Sequence, residues 1–189
     1  MKILAINRPV NEPVSISNRV DLLADSSIIH NNKPLFLPDE GEGFTGSIHP
    51  AVHICHVGRS ISQKFALRYY DSFTLVLRVT PPANAEIPLG SAIDISFDSA
   101  LGVGEWTSIQ SVEGESVTFA CDALTEPVTI SIDSLKIDET VAMLSRYFTL
   151  KNGDIIIPSL SPLPTFPLQI DTRLTASVNS VQLLDLKIK

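Results

Sequence analysis

The sequence is poor in the features that would place it in a specialised class of protein. It has 14 basic against 21 acidic residues and a formal net charge of −7. No dense basic cluster interrupts this balance, which argues against nucleic acid or an anionic membrane as the main partner. No apolar run is long enough for a membrane helix, and residues 1–6 are too short for a signal peptide. We therefore expect a cytoplasmic protein.

Cysteine and the common catalytic motifs are scarce as well. The only two cysteines, Cys55 and Cys121, lie in apolar runs, so buried thiols are expected rather than a disulfide framework. Residues 102–104 are too short for a phosphate-binding loop, and neither a P-loop nor a Gly-x-Ser-x-Gly nucleophile motif occurs. At 189 residues the chain suits one domain, residues 1–189, with a substantial core.

Many short runs of β-branched residues, together with 13 prolines and 9 glycines, predict a strand-rich fold. Residues 26–38 have the pattern of a hairpin that turns at Asn31 and Asn32, and a second hairpin is predicted at Asn179 and Ser180. The other predicted strands are 51–57, 73–80, 92–97, 107–112, 116–121, 128–132, 154–157, 173–178 and 181–188. The proline-rich stretches 81–88 and 158–167 are predicted to be loops.

Two helices are predicted. The first covers residues 60–71, with Ser60 as a possible N-cap. The second runs from about residue 137 to residue 148, and acidic residues at its start suit the helix dipole. Its inward stripe is Val141, Leu144, Ser145 and Phe148. Gly153 then offers the positive φ that a tight turn requires.

Three blocks of the chain resemble the fumarylacetoacetate hydrolase family: residues 58–75, 97–104 and 138–157. Their order and spacing are similar to those of the family, and the resemblance spans most of the chain. It implies a β-rich α+β fold, a β-roll of mixed sheets with two main helices packed outside. It also implies a homodimer, which is the usual assembly of the family.

In the family, two glutamates and an aspartate hold a divalent metal, Mg²⁺ or Ca²⁺, which polarises a β-diketone or enol substrate. The resemblance puts Ser47 and His49 at the two glutamate positions and Arg78 at the aspartate position. Ile95 aligns with the family's active-site lysine. Because an arginine would repel a cation, we expect neither this metal nor another cofactor in this chain.

Three loops lack the residues that the family has at its active site. The N-terminal loop that supplies the family's catalytic histidine is reduced to residues 7–13. Residues 80–83, Thr-Pro-Pro-Ala, stand where the family has Ser/Thr-Ala-Arg-Asp, and residues 158–161, Pro-Ser-Leu-Ser, replace its Thr-Gly-Thr-Pro loop. We therefore expect no catalytic residues and an inactive protein with a binding or structural role.

The alternative is a metal-independent hydrolase, isomerase or decarboxylase of small oxo-acids. In it, Arg78 binds the substrate carboxylate and His49 acts as general base. The same two residues could also hold a small anionic ligand without any reaction. For Arg78 alone two interpretations remain open: an outward-facing strand residue, or a guanidinium that fills the old cation site and pairs with Asp94 or Asp98.

Other groupings are weighed against simpler explanations. A zinc site at His49, His53, His56 and Cys55 is disfavoured, because on a strand His49 and His53 are about 13 Å apart and His56 faces the other way. Asp94, Asp98 and Glu105 suit solvated or turn-capping roles. A third hypothesis makes residues 158–167 a protein contact surface, because Leu160, Leu163 and Phe166 are unusual in a loop.

Overall fold

A computed structural model describes residues 1–38, 43–82, 92–112, 116–160 and 164–189. The described strands are β1 (Ile3–Asn7), β2 (Arg19–Leu23), β3 (Ile28–His30), β4 (Pro34–Leu35), β5 (Thr45–Ile54), β6 (Tyr70–Thr80), β7 (Leu101–Val103), β8 (Thr107–Ser108), β9 (Ser116–Cys121), β10 (Val128–Ser131), β11 (Ile155–Ile157), β12 (Thr165–Pro167), β13 (Arg173–Val178) and β14 (Val181–Ile188). The described α-helices are α1 (Ala92–Ser96) and α2 (Ile137–Tyr147).

The strands form two mixed sheets. The first has the order β2-β1-β11-β5-β6-β7-β3, with β12 paired to β5 and β8 paired to β6. The second has the order β10-β9-β13-β14-β4. Parallel pairs occur in both sheets, between β1 and β11, β3 and β7, and β4 and β14. The predicted β-rich α+β class with mixed sheets is confirmed.

Both faces of the first sheet are buried, and each face has its own apolar cluster. One face packs against the second sheet and α2 and forms the main core. The opposite face is called the inner face here. Its apolar cluster is Ile3, Ala5, Leu23, Ala51, Val76, Leu101, Val103, Ile155 and Ile157. Burial of both faces explains why β1, β6 and β11 are nearly continuous apolar runs.

The two sheets approach most closely where glycine removes a side chain. An ideal Cβ on Gly102 would lie 2.3 Å from Cδ1 of Leu186, and one on Gly104 would lie 2.4 Å from the carbonyl oxygen of Leu183. Glu105 N–H donates to that same Leu183 oxygen at 2.6 Å, so the backbone contact is direct. The close packing of the two sheets therefore accounts for Gly102 and Gly104, and no phosphate site is needed to explain them.

The second predicted helix is confirmed and the first is wrong in type. α2 ends one residue before the predicted boundary, and Val141, Leu144 and Ser145 of its stripe are fully buried. The predicted helix at 60–71 is a 3₁₀ turn, Gln63–Arg68. Ser60 is not its cap: it takes a φ of +52°, and its N–H donates to the Ser145 carbonyl of α2 at 2.8 Å.

The predicted hairpin at 26–38 is also wrong. β3 pairs with β7 in the first sheet, whereas β4 pairs with β14 in the second. Asn32 does take a positive φ of 62°. However, the Asn31 carboxamide accepts from Asp185 N–H at 2.6 Å, and Asn32 N–H donates to the Asp185 carbonyl at 2.8 Å. These bonds hold the turn against β14, so the chain passes from one sheet to the other.

The C-terminal hairpin is confirmed, with φ values of 47° at Asn179 and 67° at Ser180. Residues 92–97, predicted as a strand, contain α1 instead, and the predicted strand 107–112 is reduced to β8 followed by a 3₁₀ turn, Ile109–Ser111. The sequence patterns did not reveal β1 and β2. Of the predicted loop 81–88, residues 83–88 lie outside the described residues.

Cys55 and Cys121 are both free thiols, but only Cys121 is buried as predicted, whereas Cys55 is partly exposed. Neither α1 nor α2 has the length and apolar character needed to cross a membrane, and the same holds for every helix within the described residues.

Candidate functional site

Neighbouring strands bring three of the four predicted site residues to the inner face. In the antiparallel register of β5 and β6, Ser47 is opposite Arg78 and His49 is opposite Val76. Because side chains alternate along a strand, Ser47, His49 and Arg78 share one face. Ser47 and His49 are buried, and Oγ of Ser47 is 2.7 Å from Nε2 of His49.

Arg78 forms an ion pair on this face. Its Nη1 donates to Oδ2 of Asp21 in β2 at 3.1 Å, and the side chains are only 14% and 4% exposed. The second carboxylate oxygen of Asp21 accepts from Nε of Arg19 at 2.6 Å. Asp21 therefore bridges two arginines. Ser47, His49, Arg78 and Asp21 are called the inner-face cluster below.

Both sequence-based interpretations of Arg78 need correction. The outward-facing interpretation is wrong because Thr74, Val76 and Arg78 point to a buried face. The guanidinium interpretation is right about a carboxylate partner but wrong about which one, because no ion pair joins Arg78 to Asp94 or Asp98 among the described residues. The carboxylate that pairs with Arg78 is Asp21, contributed by the far edge of the sheet.

His49 is kept neutral by its surroundings. Burial and, to a lesser extent, the positive charge of Arg78 lower the pKa of His49 to about 3, although the Ser159 backbone opposes this lowering. The side chain is 1% exposed, and Nδ1 has no hydrogen-bond partner among the described residues. At neutral pH the imidazole is therefore uncharged and a weak base.

Ile95, the fourth predicted position, lies on α1 and is half-buried. The end of α1 is attached to the segment after β2, because Oγ of Ser96 accepts from Ala24 N–H at 2.7 Å and lies 2.9 Å from Oγ of Ser27. The strand predicted for residues 92–97, which include Ile95, is therefore wrong.

The inner-face cluster does not fit a divalent metal of the kind the fold family implies. Its four side chains supply one hydroxyl, one neutral imidazole, one guanidinium and one carboxylate. The carboxylate is already paired with two arginines, and the guanidinium opposes any further cation. Within the described ranges, no three His, Cys, Asp or Glu side chains are arranged to hold a metal ion.

The histidines near Cys55 likewise do not form a metal site with it among the described residues. His53 Nδ1 is 3.3 Å from Oδ1 of Asp71, and its ring packs on Trp106 with a centroid distance of 5.5 Å. Cys55 Sγ is instead 3.1 Å from Nδ1 of the adjacent His56. His49 lies four residues before His53 on the same strand, about 13 Å away, so the four residues do not converge.

Sequence reasoning missed Arg8, a fully buried arginine. Its guanidinium donates to backbone carbonyl oxygens from three chain segments, and no carboxylate lies within ion-pair distance among the described residues. Those acceptors are Pro9, Val10, Glu12, Ser134, Leu135 and Pro158. The hydrogen bond to the Leu135 carbonyl oxygen is 2.6 Å long, and those to Pro9 and Val10 are each 2.9 Å. We call this arrangement the carbonyl cage.

The carbonyl cage joins two of the loops that depart from the family pattern. The guanidinium donates to carbonyls in residues 9–12 and lies 3.5 Å from the Pro158 carbonyl oxygen, and Oγ of Ser159 donates back to the Arg8 carbonyl at 2.6 Å. Leu160 N–H donates to Ile6 at 2.8 Å. An arginine next to a proline after an apolar strand was the only sequence signal, and it does not indicate backbone acceptors.

Residues 158–167 are less exposed than the loop prediction implied. β12 pairs with the start of β5, so that Phe166 lies opposite Gly46 and is buried in the main core. Leu160 packs against the inner-face apolar cluster. Leu163 lies outside the described residues. Internal packing therefore accounts for Leu160 and Phe166.

No protein-family model and no curated protein matches the chain. Solved structures do. The 5-carboxymethyl-2-hydroxymuconate delta-isomerase from Mycobacterium smegmatis superposes with a TM-score of 0.82 at 17% identity, over 99% of this chain and 78% of that one. A fumarylpyruvate hydrolase from Pseudomonas aeruginosa, in complex with Mn²⁺ and pyruvate, gives 0.75 at 15% identity, over 100% and 89%.

A protein from Yersinia pestis CO92 assigned to the fumarylacetoacetate hydrolase family gives a TM-score of 0.75 at 17% identity, over 100% of this chain and 92% of that one. The class defined by these likenesses is a β-rich α+β roll. In particular, the chain has the fumarylacetoacetate hydrolase fold, as the sequence blocks predicted.

Proposed function

We propose that this chain is a catalytically inactive protein with the fumarylacetoacetate hydrolase fold, and that its role is binding or structural. The observation that carries the proposal is the ion pair between Arg78 and Asp21 on the inner face. A guanidinium occupies the position where the fold family places a metal-binding aspartate, and its own carboxylate partner satisfies it internally.

Two further features support the loss of chemistry. Neutral His49 is hydrogen-bonded to Ser47 and buried, so it has neither the pKa near neutrality nor the access to solvent of a working acid or base. The carbonyl cage connects residues 9–12 and Pro158 to one buried side chain through four of its six contacts. Both loops are thereby used for packing.

The alternative is a metal-independent enzyme acting on small oxo-acids. One observation favours it: Nδ1 of His49 is buried and has no hydrogen bond of ordinary geometry among the described residues, so a ligand could supply one. In this account a substrate carboxylate displaces Asp21 from Arg78. The displacement costs the internal ion pair, which is why the inactive account is preferred.

A turnover assay separates the two. The chain would be incubated with fumarylpyruvate, the substrate named for the Pseudomonas aeruginosa enzyme, with and without Mn²⁺, and that enzyme is the positive control. The proposal expects no turnover above the uncatalysed rate. Turnover that is abolished by replacing His49 and Arg78 with alanine would contradict it and support the alternative.

For partners we propose a homodimer, with a small anion on Arg78 as a possible ligand, and neither nucleic acid nor membrane. The net charge of −7 argues against nucleic acid and membrane as partners. A cytoplasmic location remains part of the same proposal.

A further inference from the structure

A groove made of three adjoining cavities runs along α2 and the 3₁₀ turn Gln63–Arg68. The first cavity, about 610 Å³, is lined largely by residues 14–16 and the second half of α2. It meets the second, about 350 Å³, at Gln63 and Glu139. The second meets the third, also about 350 Å³, at Leu67 and Tyr70. The 3₁₀ turn therefore forms one wall along the whole groove.

A cationic aromatic group projects from the same 3₁₀ turn. The Phe65 ring is 41% exposed, although apolar aromatic side chains are usually buried. Nζ of Lys64 and Cζ of Arg68 each lie 4.8 Å from its centroid, so two cations flank one ring. Lys64, Phe65 and Arg68 are called the basic knob.

The middle cavity of the groove has the opposite charge. Asp133, Asp138 and Glu139 line it, against the single cation Lys136. Asp138 is fixed by the hydroxyl of Tyr70, which donates to Oδ1 at 2.9 Å. Leu67 supplies an exposed apolar wall. The cavity suits a side chain that is apolar along its length and accompanied by positive charge.

We propose that the occupant of this cavity is the basic knob of a second copy of the chain. Knob and cavity stand on one 3₁₀ turn, so a two-fold arrangement places each knob in the cavity of the other copy and satisfies both contacts at once. Because each copy has a net charge of −7, acidic surfaces elsewhere repel each other. The pairing of knob with acidic cavity therefore selects one orientation.

The interface is a specific surface through which the proposed binding or structural role would be carried out. The proposal rests on that role only for the biological significance of the dimer. Assembly is measured separately from turnover. An inactive monomer would overturn this proposal together with the homodimer proposed above, and would leave the proposed lack of activity standing, whereas an active dimer would do the reverse.

The test uses charge reversal and complementation. The knob variant carries Lys64→Glu and Arg68→Glu, and the cavity variant carries Asp133→Lys and Glu139→Lys. In each homodimer both contacts become repulsive, so each variant alone should raise the dimer dissociation constant on the order of 100-fold. In a mixed dimer the reversed knob meets the reversed cavity and the two native surfaces meet each other, so mixing should restore dimers.

Sedimentation velocity gives the dissociation constants, and native mass spectrometry of mass-labelled copies identifies the mixed dimer. The matched control reverses two exposed lysines away from the groove, Lys33→Glu with Lys187→Glu, and should leave the dissociation constant within about threefold of wild type. Phe65→Ala, which keeps all charges, should raise it at least about tenfold.

Three results would overturn the proposal: a wild-type chain that is monomeric at all concentrations, variants that dimerise as tightly as wild type, or folded variants that do not pair when mixed. Should a charge-reversed variant fail to fold, Phe65→Ala alone decides. A dimer of Phe65→Ala as tight as wild type would then refute the interface.

Discussion

Arg78 and Asp21 lie on strands with three other strands between them in the sheet, yet Nη1 of Arg78 and Oδ2 of Asp21 are 3.1 Å apart. In a flat sheet, four strand spacings would separate them by about 19 Å. The first sheet must therefore curve until β2 faces β6, and the ion pair closes this roll across its inner face.

Removing one member of the pair should destabilise the fold. Asp21→Asn leaves Arg78 without its counter-charge in a buried place, and we expect a loss of about 3 kcal/mol in the free energy of unfolding. Urea denaturation measures it. Arg19→Ala is the matched control: it removes the exposed arginine on the same carboxylate and should cost under about 1 kcal/mol.

A double variant tests whether the two charges depend on each other. Arg78→Met combined with Asp21→Leu removes both, so its cost should be clearly less than the sum of the single losses. Additive losses would contradict a direct pair.

Stability should fall in acid because of His49. Its pKa is lowered to about 3 in the folded state from 6.5. Between these values the unfolded chain binds a proton that the folded chain does not, so stability rises with pH across this window. The contribution is fully present above about pH 6.5 and is lost as the pH falls toward 3, amounting to on the order of 4–5 kcal/mol.

The comparison that isolates this effect is His49→Gln, which can keep a hydrogen bond to Ser47 but does not titrate. Chemical denaturation at pH 7, 5.5 and 4 should show a shallower acid loss for His49→Gln than for wild type. Equal slopes would mean that His49 takes up its proton in the folded state.

The carbonyl cage should depend on the full guanidinium of Arg8. Arg8→Lys keeps the charge but cannot reach acceptors in three segments at once, so we expect a loss of about 3 kcal/mol or more. Hydrogen exchange should rise together in residues 9–12 and 158–160. Arg173→Ala, which removes an exposed arginine paired with Asp185, is the control and should cost under about 1 kcal/mol. Exchange confined to one of the two segments would count against a shared cage.

Gly104→Ala should destabilise the contact between the sheets. The added methyl group would stand 2.4 Å from the Leu183 carbonyl oxygen, and a backbone atom cannot move aside as a side chain can. We expect a loss of about 1–3 kcal/mol in thermal or urea unfolding. An unchanged unfolding midpoint would mean that the two sheets can separate locally at no cost.

Local patterns predicted the elements whose structure is locally determined. α2 follows from its apolar spacing, and the C-terminal hairpin follows from Asn179 and Ser180, which both tolerate positive φ. Residues 92–96 alternate apolar and polar side chains as a strand does, but they form a helix against β2. Residues 26–38 fail for a related reason, because Asp185 redirects their turn from another sheet.

The residues of the candidate site also fall into two groups, those that the sequence indicated and those that it did not. The family resemblance grouped Ser47, His49 and Arg78, and the register of β5 and β6 places them on one face. Asp21 could not be found in this way, since it reaches Arg78 only through the curvature of five strands. Arg8 could not be found either, since its partners are backbone carbonyls, which every residue has.

The central claim is that the inner face holds an internal ion pair where the fold family holds a metal. Calorimetric titration of the wild-type chain with MnCl₂ at neutral pH tests it most directly, with a variant carrying Ser47→Ala, His49→Ala and Arg78→Ala as the reference. The account predicts no saturable binding to wild type up to millimolar Mn²⁺. Stoichiometric micromolar binding that the triple variant loses would contradict it.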